Sequence, residues 1–197
     1  MAYKPGDFFL GVIDFFGIVV PGAVMLFLDG PRLREALNFQ LPTDSVQQWT
    51  VFLVGSYVLG HFLLGAGVPL NHILRLYRPV KRDRSYERVK GSLNAELRGT
   101  PEEARTDAFY LAYSFVRLKS PAALSEIERQ MADYKLFRSL ALVFALDLAV
   151  NLWGHAWDWR LSLLSILLVL AAARYCFLLS WTYRITFDYY ALLNASA

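Results

Sequence analysis

Asp14, His61, Asp147, Asn151 and Arg174 stand inside otherwise apolar segments of the chain. A charge at the centre of a bilayer costs about 2.5–3.5 kcal/mol on insertion scales, so such groups face a partner, a helix-bundle interior or water. Asp14 and Arg174 each lie roughly 10 Å from the same end of their segments and are expected to pair. Such a pair is a bridge that locks the bundle, unless Arg174 snorkels to nearby headgroups. Asp147 and Asn151 are one helical turn apart, while Ala141, Ala145 and Ala149 form a small-residue stripe about 200° around the same helix. The stripe is expected to pack on a neighbouring helix. The opposite face then lines an ion path or a subunit interface, or is consumed by interhelical hydrogen bonds. His61 is open to two readings, a proton-sensitive gate or a buried, hydrogen-bonded side chain. Pro21, next to Gly22, frees a backbone carbonyl and marks a kink, either gating or structural. These residues, Asp14, Pro21, His61, Asp147, Asn151 and Arg174, are the candidate pore or gating positions.

Catalysis has no such candidates. The chain contains no HExxH, GxSxG, Walker or GxGxxG motif, and its carboxylates form no convincing acid–base pair. His61, His72 and His155 are too scattered for a metal site, and Cys176 is the single cysteine. No enzyme activity, cofactor or metal is expected.

The elements that must position these side chains are four long apolar segments, 8–28, 50–70, 136–153 and 161–181, around an insertion at 71–135. About 20 apolar residues span a hydrocarbon core of roughly 30 Å. Composition agrees: 56% hydrophobic, 15% aromatic and only 19% charged residues, with a mean hydropathy of +0.34. The expected fold class is all-α, a four-span transmembrane helical bundle with a helical cytoplasmic insertion between spans 2 and 3. The divisions are 1–70 (spans 1 and 2), 71–135 (insertion) and 136–197 (spans 3 and 4 with a short cytoplasmic tail). The first segment is long and holds Asp14 and Pro21, so it reads as a retained span rather than a cleaved signal.

Lys and Arg concentrate between spans 2 and 3, whereas the other loops hold only Arg32, Arg34 and Arg160. The positive-inside rule therefore predicts that the insertion and both termini are cytoplasmic. Trp49, Trp153, Trp157 and Trp159 mark the outer boundary, and Trp181 and Tyr183 the inner one. Within the insertion, Thr100-Pro101-Glu102-Glu103 and Ser120-Pro121 are helix starts. From Pro121 no Pro or Gly intervenes before Gly154, which predicts one helix of about 33 residues, roughly 50 Å long, entering span 3. The alternative is a bend near Lys135 and Arg138.

The insertion opens with Arg75, Arg78, Lys81, Arg82, Arg84, Arg88 and Lys90. This run can bind anionic headgroups of the inner leaflet or, alternatively, the phosphates of a nucleotide or short nucleic acid. Tyr77 and Tyr86 could stack on bases.

Asp14-Phe15-Phe16-Gly17-Ile18-Val19-Val20-Pro21-Gly22 resembles the first span of small bacterial membrane proteins of antiphage defence. Gly60-His61 and Phe137-Arg138-Ser139-Leu140 are similar to the same group, whose nearest type is the Hailong membrane effector. The resemblance implies a homo-oligomeric inner-membrane channel, with a tetramer among the assemblies open to it. Such a channel is held closed by a short single-stranded DNA ligand from a partner nucleotidyltransferase. Infection relieves the inhibition and the open channel depolarises the cell. Beside this channel reading stands a non-conducting membrane anchor or scaffold that recruits a soluble partner through the insertion. A small carrier is disfavoured, because the span pairs show no inverted repeat.

Overall fold

The computed structural model describes residues 5–36, 38, 42, 44–69, 89, 91–93, 95, 108–153 and 158–195; for 5–14 and 16 only the backbone is described. Among the described residues the order is α1 (Pro5–Ala36), α2 (Ser45–Ala66), α3 (Ala108–Lys119), α4 (Pro121–Trp153) and α5 (Trp159–Ala195), with no strand. Of these, α2, α4 and α5 are long and apolar enough to cross a membrane.

The 32-residue α1 extends well beyond its apolar segment and contains both Pro21 and Pro31. Each proline lacks the donor that would bond the carbonyl four residues earlier, on Gly17 and Phe27. Just past its end, Asn38 adopts a left-handed φ of 49° and its N–H donates to the Glu35 carbonyl at 3.2 Å. Asn tolerates this conformation better than most residues, which suits it to ending a helix.

The chain forms two compact units, 1–77 with 132–176, and 78–131 with 177–197. In the first, α1 and α2 meet backbone to backbone. A Cβ at Gly22 would lie 1.8 Å from the Ser56 carbonyl oxygen, and one at Gly60 would lie 2.0 Å from the Ile18 carbonyl oxygen. Residues 18 and 22 therefore oppose 60 and 56, an antiparallel pairing in which the small residues of each helix admit the other. Glycine is required for this approach, and it brings the two chains into the close van der Waals contact that drives helix association in lipid. The Ser56 hydroxyl, fully buried there, donates to the Phe52 carbonyl at 2.7 Å.

Against α4, α1 runs the other way. Gly17 faces the Ala132 carbonyl, and Arg32 reaches Asp147. Both pairs are separated by the same interval along each helix, so α1 and α4 are parallel. The buried residues of α4 in this unit are Ala132, Arg138, Ser139, Ala141, Val143 and Asp147. This corrects the expected division of faces: Ala141 is buried, Ala145 only partly, and Ala149 is exposed. On α5, the stripe Leu161, Leu164, Ala171 and Tyr175 is buried, with Tyr175 edge-on to Tyr134 of α4 at 6.3 Å.

In the second unit, Phe109, Ala112 and Val116 of α3 project one helical face onto Ala123 and Ile127 of α4 and onto Phe187 and Tyr190 of α5. Phe109 lies 4.4 Å from Tyr183 and Phe115 lies 5.0 Å from Tyr190, centroid to centroid. Residues read as a short tail are therefore helical and supply Tyr183, Phe187 and Tyr190 to this core. The Ser120-Pro121 start is present: the Ala123 N–H donates to Ser120 Oγ at 3.4 Å and the Leu124 N–H to the Ser120 carbonyl at 3.0 Å. Pro121 opens α4, one helix of 33 residues that runs through Lys135 and Arg138 to Trp153. The other expected start, Thr100-Pro101, lies outside the described residues.

Candidate functional site

Where α1 and α4 run side by side, four side chains form one closed network. Arg32 Nη1 lies 3.0 Å from Asp29 Oδ1 and 3.5 Å from Asp147 Oδ1. Arg32 Nη2 donates to Asn151 Oδ1 at 2.8 Å. Asn151 Nδ2 donates to the Asp147 carbonyl at 2.8 Å and to Asp147 Oδ1 at 2.9 Å. Asp29 and Asp147 are buried, whereas the Arg32 side chain is about half exposed, 51%.

Local structure explains the arrangement. Asp29 and Arg32 are three residues apart on α1, and Asp147 and Asn151 four apart on α4, so each pair shares a helical face. The planar guanidinium presents several donors in a fixed fork, which lets one cation serve two carboxylates and an amide. Formally the cluster holds two acids against one base. It can bind a proton or cation, or serve as an ionic lock between helices whose faces are otherwise apolar.

Asp147 and Asn151 are thus brought together as expected, but their partner was not. On the sequence, the first apolar segment ends at residue 28, which leaves Arg32 in the following loop. The available signal was an Asp and Arg at helical spacing straight after an apolar run, with an acid near the corresponding end of a parallel span.

Other anticipated positions are dispersed. Pro21 is fully buried beside the Gly22 contact. His61 is exposed rather than buried, its ring edge-on to Tyr57 at 4.6 Å, and Tyr57 stacks at 6.0 Å on Phe15. The outward placement follows from Gly60, which turns the adjacent side of α2 onto α1. Arg174 is exposed, with its guanidinium carbon 5.9 Å from the Phe137 ring centroid. Asp14 lies in α1, but the proposed Asp14–Arg174 pair falls outside the described side chains. Arg75, Arg78, Lys81, Arg82, Arg84, Arg88 and Lys90 also lie outside the described residues. No protein family, curated protein or solved structure matches this chain.

Arg138 has a distinct role. It is buried, and its Nη2 donates to the Leu64 carbonyl at 2.9 Å, in the last turn of α2. A Cβ at Gly67 would lie 2.9 Å from Arg138 Nε. A cation is thereby placed on the negative end of the α2 dipole and on a carbonyl that has no helical partner. Arg138 Nε and Ser139 Oγ are buried polar atoms with no hydrogen-bond partner among the described residues.

Proposed function

We propose that the chain is a four-span protein of the bacterial inner membrane and acts as a homo-oligomeric effector of antiphage defence. Its oligomer conducts ions when a cytoplasmic nucleotide or oligonucleotide signal changes, and the current depolarises the cell. The observation that carries this reading is α4. One unbroken helix holds Ile127 in the core of the second unit and Asp147 in the charged cluster of the first.

The four-span topology has separate support. Because α1 is parallel to α4 and antiparallel to α2, α2 ends at the same end of the bundle from which α4 rises. Segment 71–135 connects those two ends, and its lysines and arginines favour a cytoplasmic location under the positive-inside rule. Support for antiphage defence comes from the Hailong-like residues, among which Gly22, Gly60 and Arg138 are helix-packing positions.

Purified protein in planar bilayers tests the reading. Conductance that depends on the added nucleotide or oligonucleotide, and is altered by Asp147→Asn, is the expected result. Silence under every ligand condition would sink it.

A second reading is a non-conducting anchor whose insertion recruits a soluble partner. It is favoured by the closure of the Arg32 network within one protomer, which is all that a bundle lock needs. On that reading Asp147→Asn leaves activity in cells intact, whereas surface changes in 71–135 abolish it.

A further inference from the structure

Between α1 and α2, beyond their point of closest approach, lies an open groove of about 800 Å³. This is within the range of about 300–1,000 Å³ typical of ligand pockets. The antiparallel register gives it a direction. Leu26, Val58 and Leu59 lie toward the close-packed end, and Arg34 and Gln48 at the other. Phe27 and Trp49, which also line it, are 82% and 67% exposed. Arg34 Nε donates to the Gly30 carbonyl at 3.3 Å, which draws the guanidinium back over the groove. Among the described residues no carboxylate is paired with Arg34.

We propose that this groove is a phospholipid site: an acyl chain fills its apolar length and the lipid phosphate binds Arg34. The inference rests on the reading of α1 and α2 as membrane spans. An apolar trough that ends in one cation matches a molecule with an apolar tail and one anionic group. Trp49 stands near the polar end, as tryptophans do at the headgroup level. Arg34 contributes a planar donor fork suited to phosphate oxygens. Arg32, two residues earlier, is turned into the bundle, so the two arginines of this helix end serve different ligands.

Gly30 provides a clean test. It lines the groove, and a Cβ there meets nothing within 4 Å, so a larger side chain can occupy the space without displacing protein. Full-length wild type, Gly30→Phe and Arg34→Gln are purified in mild detergent and incubated with phosphatidylglycerol or with diacylglycerol of the same acyl chains. Bound lipid is counted by native mass spectrometry. Wild type is expected to retain phosphatidylglycerol about fivefold better than diacylglycerol, the weight of one basic side chain at an anionic surface. Arg34→Gln brings that ratio near one, and Gly30→Phe loses both lipids. Equal retention of the two lipids by wild type overturns the proposal, as does lipid binding unchanged in Gly30→Phe. A change in oligomeric mass in Gly30→Phe with no change in bound lipid also overturns it and assigns the groove to a second copy. Release of the protein from membranes by alkaline carbonate marks failure of the membrane reading itself. Retention in the membrane without a bound phospholipid defeats the groove proposal alone.

Discussion

Arg32 is the residue on which the charged cluster depends. Replacing it leaves Asp29 and Asp147 buried near one another without a counter-charge, whereas replacing either acid leaves the cation one partner. Arg32→Gln is expected to lower stability by about 2–4 kcal/mol, toward the lower end because the side chain is half exposed. Adding Asp147→Asn to Arg32→Gln should recover part of the loss, and a double-mutant cycle of thermal unfolding in detergent measures it. In the second unit, Tyr113 donates to Glu128 at 2.9 Å, and its phenol is pushed up from 10.0 to about 12, first by burial and then by that carboxylate. A raised value favours the protonated folded state. The stabilisation is therefore complete below pH about 10 and is lost as pH rises through about 12. Tyr113 is not a switch near neutrality. Absorbance titration should show a late phenolate step that Tyr113→Phe removes. Asp147 and Asn151 were legible as a pair because lipid penalises isolated polar groups. Their partner was not, because a turn-like Asp29-Gly30-Pro31 can also be helix, and local propensity did not decide between the two.

At the scale of the helices, α1 and α2 depend on two glycines. At Gly22 the obstacle to a Cβ is backbone, which cannot rotate away, so Gly22→Ala must push the helices apart. Overpacking of this kind costs about 1–3 kcal/mol. Gly65→Ala on the same α2 meets nothing within 4 Å and is expected to be neutral or to stabilise by up to about 1 kcal/mol through helix propensity. Denaturant titration of the two variants side by side checks the contrast; equal losses would mean that the close approach is not maintained. The Ser56-x-x-x-Gly60 spacing accounts for this contact, since small residues four apart lie on one face. The same logic misled on α4, where Ala141, Ala145 and Ala149 suggest a packing stripe. Small side chains permit close approach but do not compel it: Ala141 is buried, Ala145 only partly, and Ala149 is exposed.

For the molecule as a whole, the apolar segments, the helical insertion and the uninterrupted α4 could be read because each rests on a local rule: length against bilayer thickness, capping at Ser120, the absence of Pro and Gly. The parallel course of α1 and α4 could not, since it is set by contacts between distant parts of the sequence. Continuity of α4 has a direct consequence for backbone dynamics. Amides from 125 to 150 are expected to exchange hydrogen as one slow block, and a fast island at Lys135 or Arg138 would show that the helix opens there.

Arg32 also bears on how the chain is made. Its remote partners, Asp147 and Asn151, are synthesised more than a hundred residues later, on the order of 10 s at ordinary rates of translation. Through that interval the first hairpin must shelter a cation near the edge of its apolar segment. Asp29, three residues upstream, is already present and lies within 3.0 Å. The arginine therefore has a local counter-charge that does not depend on the arrival of α4.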